Sequence, residues 1–90
     1  MTDNVEPLLR RPSVQHASGQ SRSTLYLRIS EGLWTRPVSI GPRAVAWPAH
    51  EVAALNAARI AGKTDDEIRQ LVARLHVARE AAVADLGHTT

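Results

Sequence analysis

The chain contains no cysteine, so disulfides, thiolate nucleophiles and cysteine-based zinc sites are excluded, and a reducing compartment suits it. Aromatic residues are almost as scarce: Tyr26, Trp34 and Trp47 are the whole set. Alanine and the aliphatic residues must therefore fill most of the core, with the two tryptophans as isolated anchors. No apolar run is long enough to cross a bilayer, and no charged start with a hydrophobic centre marks a signal peptide, so a cytoplasmic protein is expected, with no membrane partner. Acidic residues are missing from one region. Residues 8 to 47 carry Arg10, Arg11, Arg22, Arg28, Arg36 and Arg43 against Glu31 alone, although the net charge of the whole chain is only +2. Such asymmetry suggests a half that faces a polyanion, joined to a half with another task.

Catalytic and metal-binding patterns are also lacking. Ala61-Gly62-Lys63-Thr64 resembles the tail of a phosphate loop, but the preceding glycine and strand are absent, so Lys63 and Thr64 read better as linker and helix cap. His76 and Glu80 stand one helical turn apart and His50 precedes Glu51, yet no third ligand has suitable spacing. No nucleophile and base can be paired. Neither an enzyme nor a cofactor or metal site is expected.

Ninety residues suit one small domain with a thin core, which partners or self-association often support. Residues 1 to 7 are polar and end in Pro7, which predicts a disordered lead. Leu8 and Leu9 begin the packed region, and Pro12 suits the first turn of a short helix to about Ser18 with Val14 and Ala17 inward, broken by Gly19.

The stretch from Ser21 to Gly32 is ambiguous by periodicity. Leu25 and Ile29 can share a helix face, while Leu25, Leu27 and Ile29 also alternate as in a strand. Its flanks favour a helix, because Ser21 is a good N-cap and Gly32 can adopt the left-handed conformation that closes one. With Leu25 and Ile29 inward, Ser23, Thr24, Leu27 and Ser30 point outward, Tyr26 and Arg28 lie on the flanks, and Arg22 projects from the N-terminal end. That small, polar face can approach a major groove, and its cations can reach phosphate.

Val38 and Ile40, then Val45 and Trp47, alternate about the turn Gly41-Pro42-Arg43, which predicts a two-stranded wing over about 37–47 with Arg36 at its base and Arg43 at its tip. A third helix opens at Pro48, with Glu51 in its first turn, Val52, Leu55 and Ile60 as packing residues and Gly62 beyond its end. Thr64-Asp65-Asp66-Glu67 is a capping box that starts a fourth helix, to about Leu86. Ile68, Leu71, Leu75, Ala78 and Ala82 form a narrow seam along it, longer than so small a module needs to cover. Ile68, Leu71 and Leu75 are thus the candidate self-association residues.

Ser21-Arg22-Ser23-Thr24-Leu25-Tyr26, Gly32, Arg36-Pro37-Val38, Ile40-Gly41, Arg43-Ala44-Val45-Ala46-Trp47 and Glu51 follow in the order found in the AlpA family of small phage and mobile-element regulators, relatives of excisionase and MerR-type domains, which the chain resembles. Leu27 stands where arginine is common in that family, and Gln20 where an apolar residue is usual. The resemblance implies a mainly α, winged helix-turn-helix fold over residues 8–62 with a two-stranded β-wing, to which the capping box adds an extra C-terminal helix over 63–90 whose end frays.

The function that the resemblance implies is binding of double-stranded DNA, as a transcriptional regulator or as an excisionase-type recombination directionality factor; the seam of the fourth helix adds the expectation of a homodimer or a cooperative multimer on DNA, associated with the nucleoid of a bacterial host. The candidate DNA-binding residues are Arg22, Ser23, Thr24, Tyr26, Leu27, Arg28, Arg36 and Arg43. A small module that docks a partner protein through the fourth helix is the alternative from another class.

Overall fold

The computed structural model describes residues 5–88, with side chains to residue 82. The expected disordered lead and frayed C-terminus lie in part outside these residues. Strand β1 (Leu8–Arg10) leads into helix α1 (Arg11–Ser18), then α2 (Arg22–Ser30), the hairpin β2 (Val38–Gly41) and β3 (Ala44–Pro48), and helices α3 (Ala49–Ile60) and α4 (Asp65–His88). This is a mainly α winged-helix architecture.

Helix ends sit where short-range chemistry puts them. Gly19 and Gly32 take left-handed φ values of 70° and 77° after α1 and α2, and the Leu33 amide returns to the Arg28 carbonyl at 2.8 Å. Ser21 caps α2 by accepting from the Thr24 amide at 3.1 Å. The capping box of α4 forms in both directions: the Glu67 amide donates to Thr64 Oγ1 at 3.2 Å, and the Thr64 amide donates to Glu67 Oε1 at 2.9 Å.

The wing gains a strand that the sequence did not announce. β1 pairs antiparallel with β3 (Leu8 with Pro48, Leu9 with Trp47, Arg10 with Ala46), so β3 lies between β1 and β2 in a three-stranded sheet. Three residues with one half-buried leucine carry too little alternation to be read as a strand. Ala46, Trp47 and Pro48 are all buried rather than alternating because both faces of β3 are covered, by the core at Trp47 and by α4 at Pro48. Trp47 packs in the core, while Leu8, Val38 and Pro48 line a cleft with Ala78 and Ala82 of α4.

The residues before β1 are tied down as well. The Ala49 amide donates to the Pro7 carbonyl at 2.9 Å and the His50 amide to Glu6 Oε2 at 2.8 Å, so Glu6 caps the start of α3 from a distant segment. Those bonds hold Glu6 below the ordinary carboxylate pKa, the His50 amide contributing most.

The core unites Val14, Leu25, Leu33, Trp34, Trp47, Val52, Leu55, Ile68 and Val72, so every helix contributes to it. Ile60 does not, being 87% exposed: it lies about 140° around α3 from Leu55. Ala17 is likewise exposed. Ile68 is 1% exposed inside this chain's own core, so it is not available to a second copy. Leu71 and Leu75 are half-buried at its edge. Leu25 is fully buried, and Leu25→Ala is expected to lower stability by about 2–4 kcal/mol in urea unfolding. A loss below about 1 kcal/mol would show that α2 is not anchored through it.

Candidate nucleic-acid interface

α2 presents the stripe that its sequence predicts. Leu25 is buried and Ile29 packs against the core, whereas Arg22, Ser23, Tyr26, Leu27 and Ser30 are exposed. Arg22, Ser23 and Tyr26 line one shallow groove, a guanidinium, a hydroxyl and a phenol within reach of one ligand surface. Leu27 is 56% exposed, an apolar contact rather than a hydrogen-bond donor. Thr24 is half-buried and belongs to the cap, its Oγ1 accepting from Ser21 Oγ at 2.9 Å. Arg28 is half-buried on the flank.

The turn before α2 holds a polar side chain. Gln20 is buried, with its Nε2 donating to Ser18 Oγ at 2.8 Å and its amide to the Gln15 carbonyl at 3.2 Å. Its Oε1 is buried with no hydrogen-bond partner among the described residues, so the side chain is only half satisfied.

Arg36 and Arg43 lie outside α2, in different settings. Arg43 sits at the hairpin tip with φ 63°, a left-handed conformation that costs a non-glycine residue about 1–2 kcal/mol. Glycine would fit there without strain, so an arginine at this position costs the fold some stability. Arg36 lies by a cleft at the C-terminal end of α2, lined by Ile29, Ser30, Gly32 and His76. Its Nη1 stands 3.3 Å from His76 Nδ1. Its amide donates to His76 Nε2 at 3.1 Å, and its carbonyl accepts from Arg79 Nη2 at 2.8 Å.

Among the described residues, the ion pairs are His50–Glu6, Arg59–Asp65, Arg69–Asp66 and Arg79–Glu51. None of them engages Arg22, Arg28, Arg36 or Arg43. These cations keep their charge free for an external anion, while the cations of the C-terminal half are largely consumed internally. No three metal-binding side chains come together among the described residues, and no described helix is long and apolar enough to cross a membrane.

Three features of the site were not legible in the sequence. Arg10 stands opposite Ala46 in the sheet because β1 pairs with β3, which moves Arg10 and Arg11 toward the hairpin. Their membership of the basic half was the only signal. Arg69 reaches from α4 to the end of α2, its Nε donating to the Glu31 carbonyl at 2.9 Å and its side chain passing beside Gly32. Glu51 is fully buried and paired with Arg79, although its position in the first turn of α3 suggested only an interaction with the helix dipole.

Comparison with known proteins agrees with this architecture. Residues 7–59 match the family model of the prophage CP4-57 regulatory protein (AlpA). The chain is also similar to an uncharacterized protein, ORF88, of Enterobacteria phage P4, with 48% identity over 58 residues that cover 64% of this chain and 66% of that protein. No solved structure matches the chain significantly. The matched segment holds α1, α2, the sheet and nearly all of α3, and on that ground the chain belongs to the AlpA family of prophage regulatory proteins.

Proposed function

We propose that the protein is a double-stranded DNA-binding transcriptional regulator of a prophage or integrated mobile element, with α2 in the major groove and the β2–β3 hairpin along the backbone or minor groove. The observation that carries this reading is the exposed face of α2: a slim polar stripe bordered by arginines with no carboxylate partner among the described residues. A helix of 9 residues is about 14 Å long, enough to lay two to three turns along a major groove. Ser23, Tyr26 and Leu27 meet base edges or the sugar-phosphate wall, and Arg22, Arg28, Arg36 and Arg43 meet phosphate.

Duplex DNA flanking the protein's own gene should be retarded in a gel shift at low salt. With four arginines on phosphates, log affinity per monomer should fall against log salt with a slope of about −3 to −4. Absence of retardation at low salt, where even non-specific binding registers, overturns the reading.

Affinity from so small a footprint is raised by repetition. Copies of the chain associate through the flank of α4, at Leu71 and Leu75, beside an apolar groove floored by Ala54, Ala57, Ala58 and Ala61 of α3 and the connection after it. Leu71→Ala with Leu75→Ala should lower the molar mass by light scattering to that of a monomer while circular dichroism stays helical. A monomeric parent protein, or an unaltered oligomer in the variant, counts against this interface.

A further inference from the structure

The segment that leads into the hairpin is held by side chains at three consecutive main-chain groups. Trp47 Nε1 donates to the Thr35 carbonyl at 2.8 Å, His76 Nε2 accepts from the Arg36 amide at 3.1 Å, and Arg79 Nη2 donates to the Arg36 carbonyl at 2.8 Å. Trp47 belongs to the hairpin itself, but His76 and Arg79 come from α4, which lies wholly beyond the segment that matches the family. Arg79 cannot swing freely, because Glu51 grips it through two oxygens at 2.6 and 2.7 Å from the first turn of α3. Pro37 follows at once and fixes its own φ, so the direction in which β2 leaves the domain depends on how the Arg36 peptide groups are oriented.

We propose that His76 and Arg79 are positioning residues for DNA binding: through the main chain of Arg36 they set the angle of the β2–β3 hairpin, and so the hairpin's share of the affinity. The inference rests on the DNA-binding reading above. It assigns to α4 a task distinct from self-association, and the two residues touch no DNA themselves.

The tether also has a pH dependence with a defined sign. An amide N–H can donate to Nε2 only while that nitrogen keeps its lone pair, so His76 is neutral, with its proton on Nδ1. The short approach of Arg36 Nη1 to Nδ1 is then a contact, not a second hydrogen bond. Burial holds the His76 pKa below 6.5, the Arg36 guanidinium and then Arg79 push it the same way, and Glu51 opposes them. Arg69, also on α4, lines the same cleft and adds a further cation. With the folded pKa lowered, the tether is complete above pH 6.5 and is lost as the pH falls through the lowered value.

Amide hydrogen exchange on the free protein tests the hinge without DNA. His76→Ala should reduce protection of the amides from Arg36 to Gly41 about three- to tenfold, the worth of one hydrogen bond. Protection of α2 and α3 should stay unchanged. His76→Gln, which keeps an acceptor, should retain protection, and should lose the extra exchange that the parent shows as the pH falls through the lowered His76 pKa, after correction for intrinsic rates. Unchanged hairpin protection in His76→Ala, or an equal drop in every element, overturns the proposal.

On DNA at low salt and pH 7.5, His76→Ala should weaken binding about three- to tenfold in the parent background, but less than about twofold when Arg43→Ala has already removed the hairpin's phosphate contact. Equal losses in both backgrounds would place the effect of His76 elsewhere and reject the inference. A parent protein that fails to retard DNA rejects the DNA-binding reading, while hydrogen exchange still decides the hinge.

Discussion

Replacing Arg79 by alanine is expected to cost the fold about 3–5 kcal/mol, a large fraction of the roughly 5–15 kcal/mol that holds a domain together. The carboxylate of Glu51 is fully buried, and two nitrogens of Arg79 neutralise it at 2.6 and 2.7 Å. Without the guanidinium, the carboxylate keeps its desolvation penalty and loses its counter-charge. The variant also frees the Arg36 carbonyl. Urea unfolding followed by circular dichroism measures the loss. Glu51→Leu in the Arg79→Ala background should recover most of it, since an apolar pair often replaces a buried ion pair at little net cost. A loss below about 1 kcal/mol for Arg79→Ala would mean that Glu51 finds water or another cation once Arg79 is gone.

The second large effect is on binding rather than folding. Arg22→Ala with Arg43→Ala should weaken affinity for duplex DNA about a hundredfold at low salt, taking each charge-assisted contact at the low end of its range, near 1.5 kcal/mol. The salt slope should become shallower by about 2. Stability should move by less than about 0.5 kcal/mol, because both side chains are exposed and neither is in an ion pair among the described residues. At Arg22 the change even removes a cation from the positive end of α2. Unchanged binding by the folded double variant would reject this assignment of the interface.

Each of the two outcomes depends on one half of the molecule. In residues 8 to 47 the arginines form no ion pair among the described residues, so their charge is open to an external anion. Beyond residue 48 the charges are mostly answered within the chain: Arg59 by Asp65 at 3.6 Å, Arg69 by Asp66 at 3.3 Å and Arg79 by Glu51. The first two pairs are exposed and contribute little, whereas the third is buried and holds α4 against α3. The nearly balanced charge of the C-terminal half thus reflects internal attachment.

What could be read from residue order alone was the local part. Ser21, Thr64 with Glu67, Gly19, Gly32 and Gly62 mark the boundaries of helices because a cap or a left-handed turn involves groups only a few positions apart. The outward stripe of α2 follows from the same short-range geometry once Leu25 is inward.

Packing decided the rest. Leu8–Arg10 is a strand only because β3 offers it an edge, and Ile68 is sealed in this chain's core because α4 docks there. Glu51 meets Arg79 across 28 residues, and His76 meets Arg36 across 40. Such pairs have no signature in the chain, since a charged residue in a helix looks the same whether it faces water or a partner. Only the docking of α4 reveals which charges are buried, and with them what holds the hairpin in place.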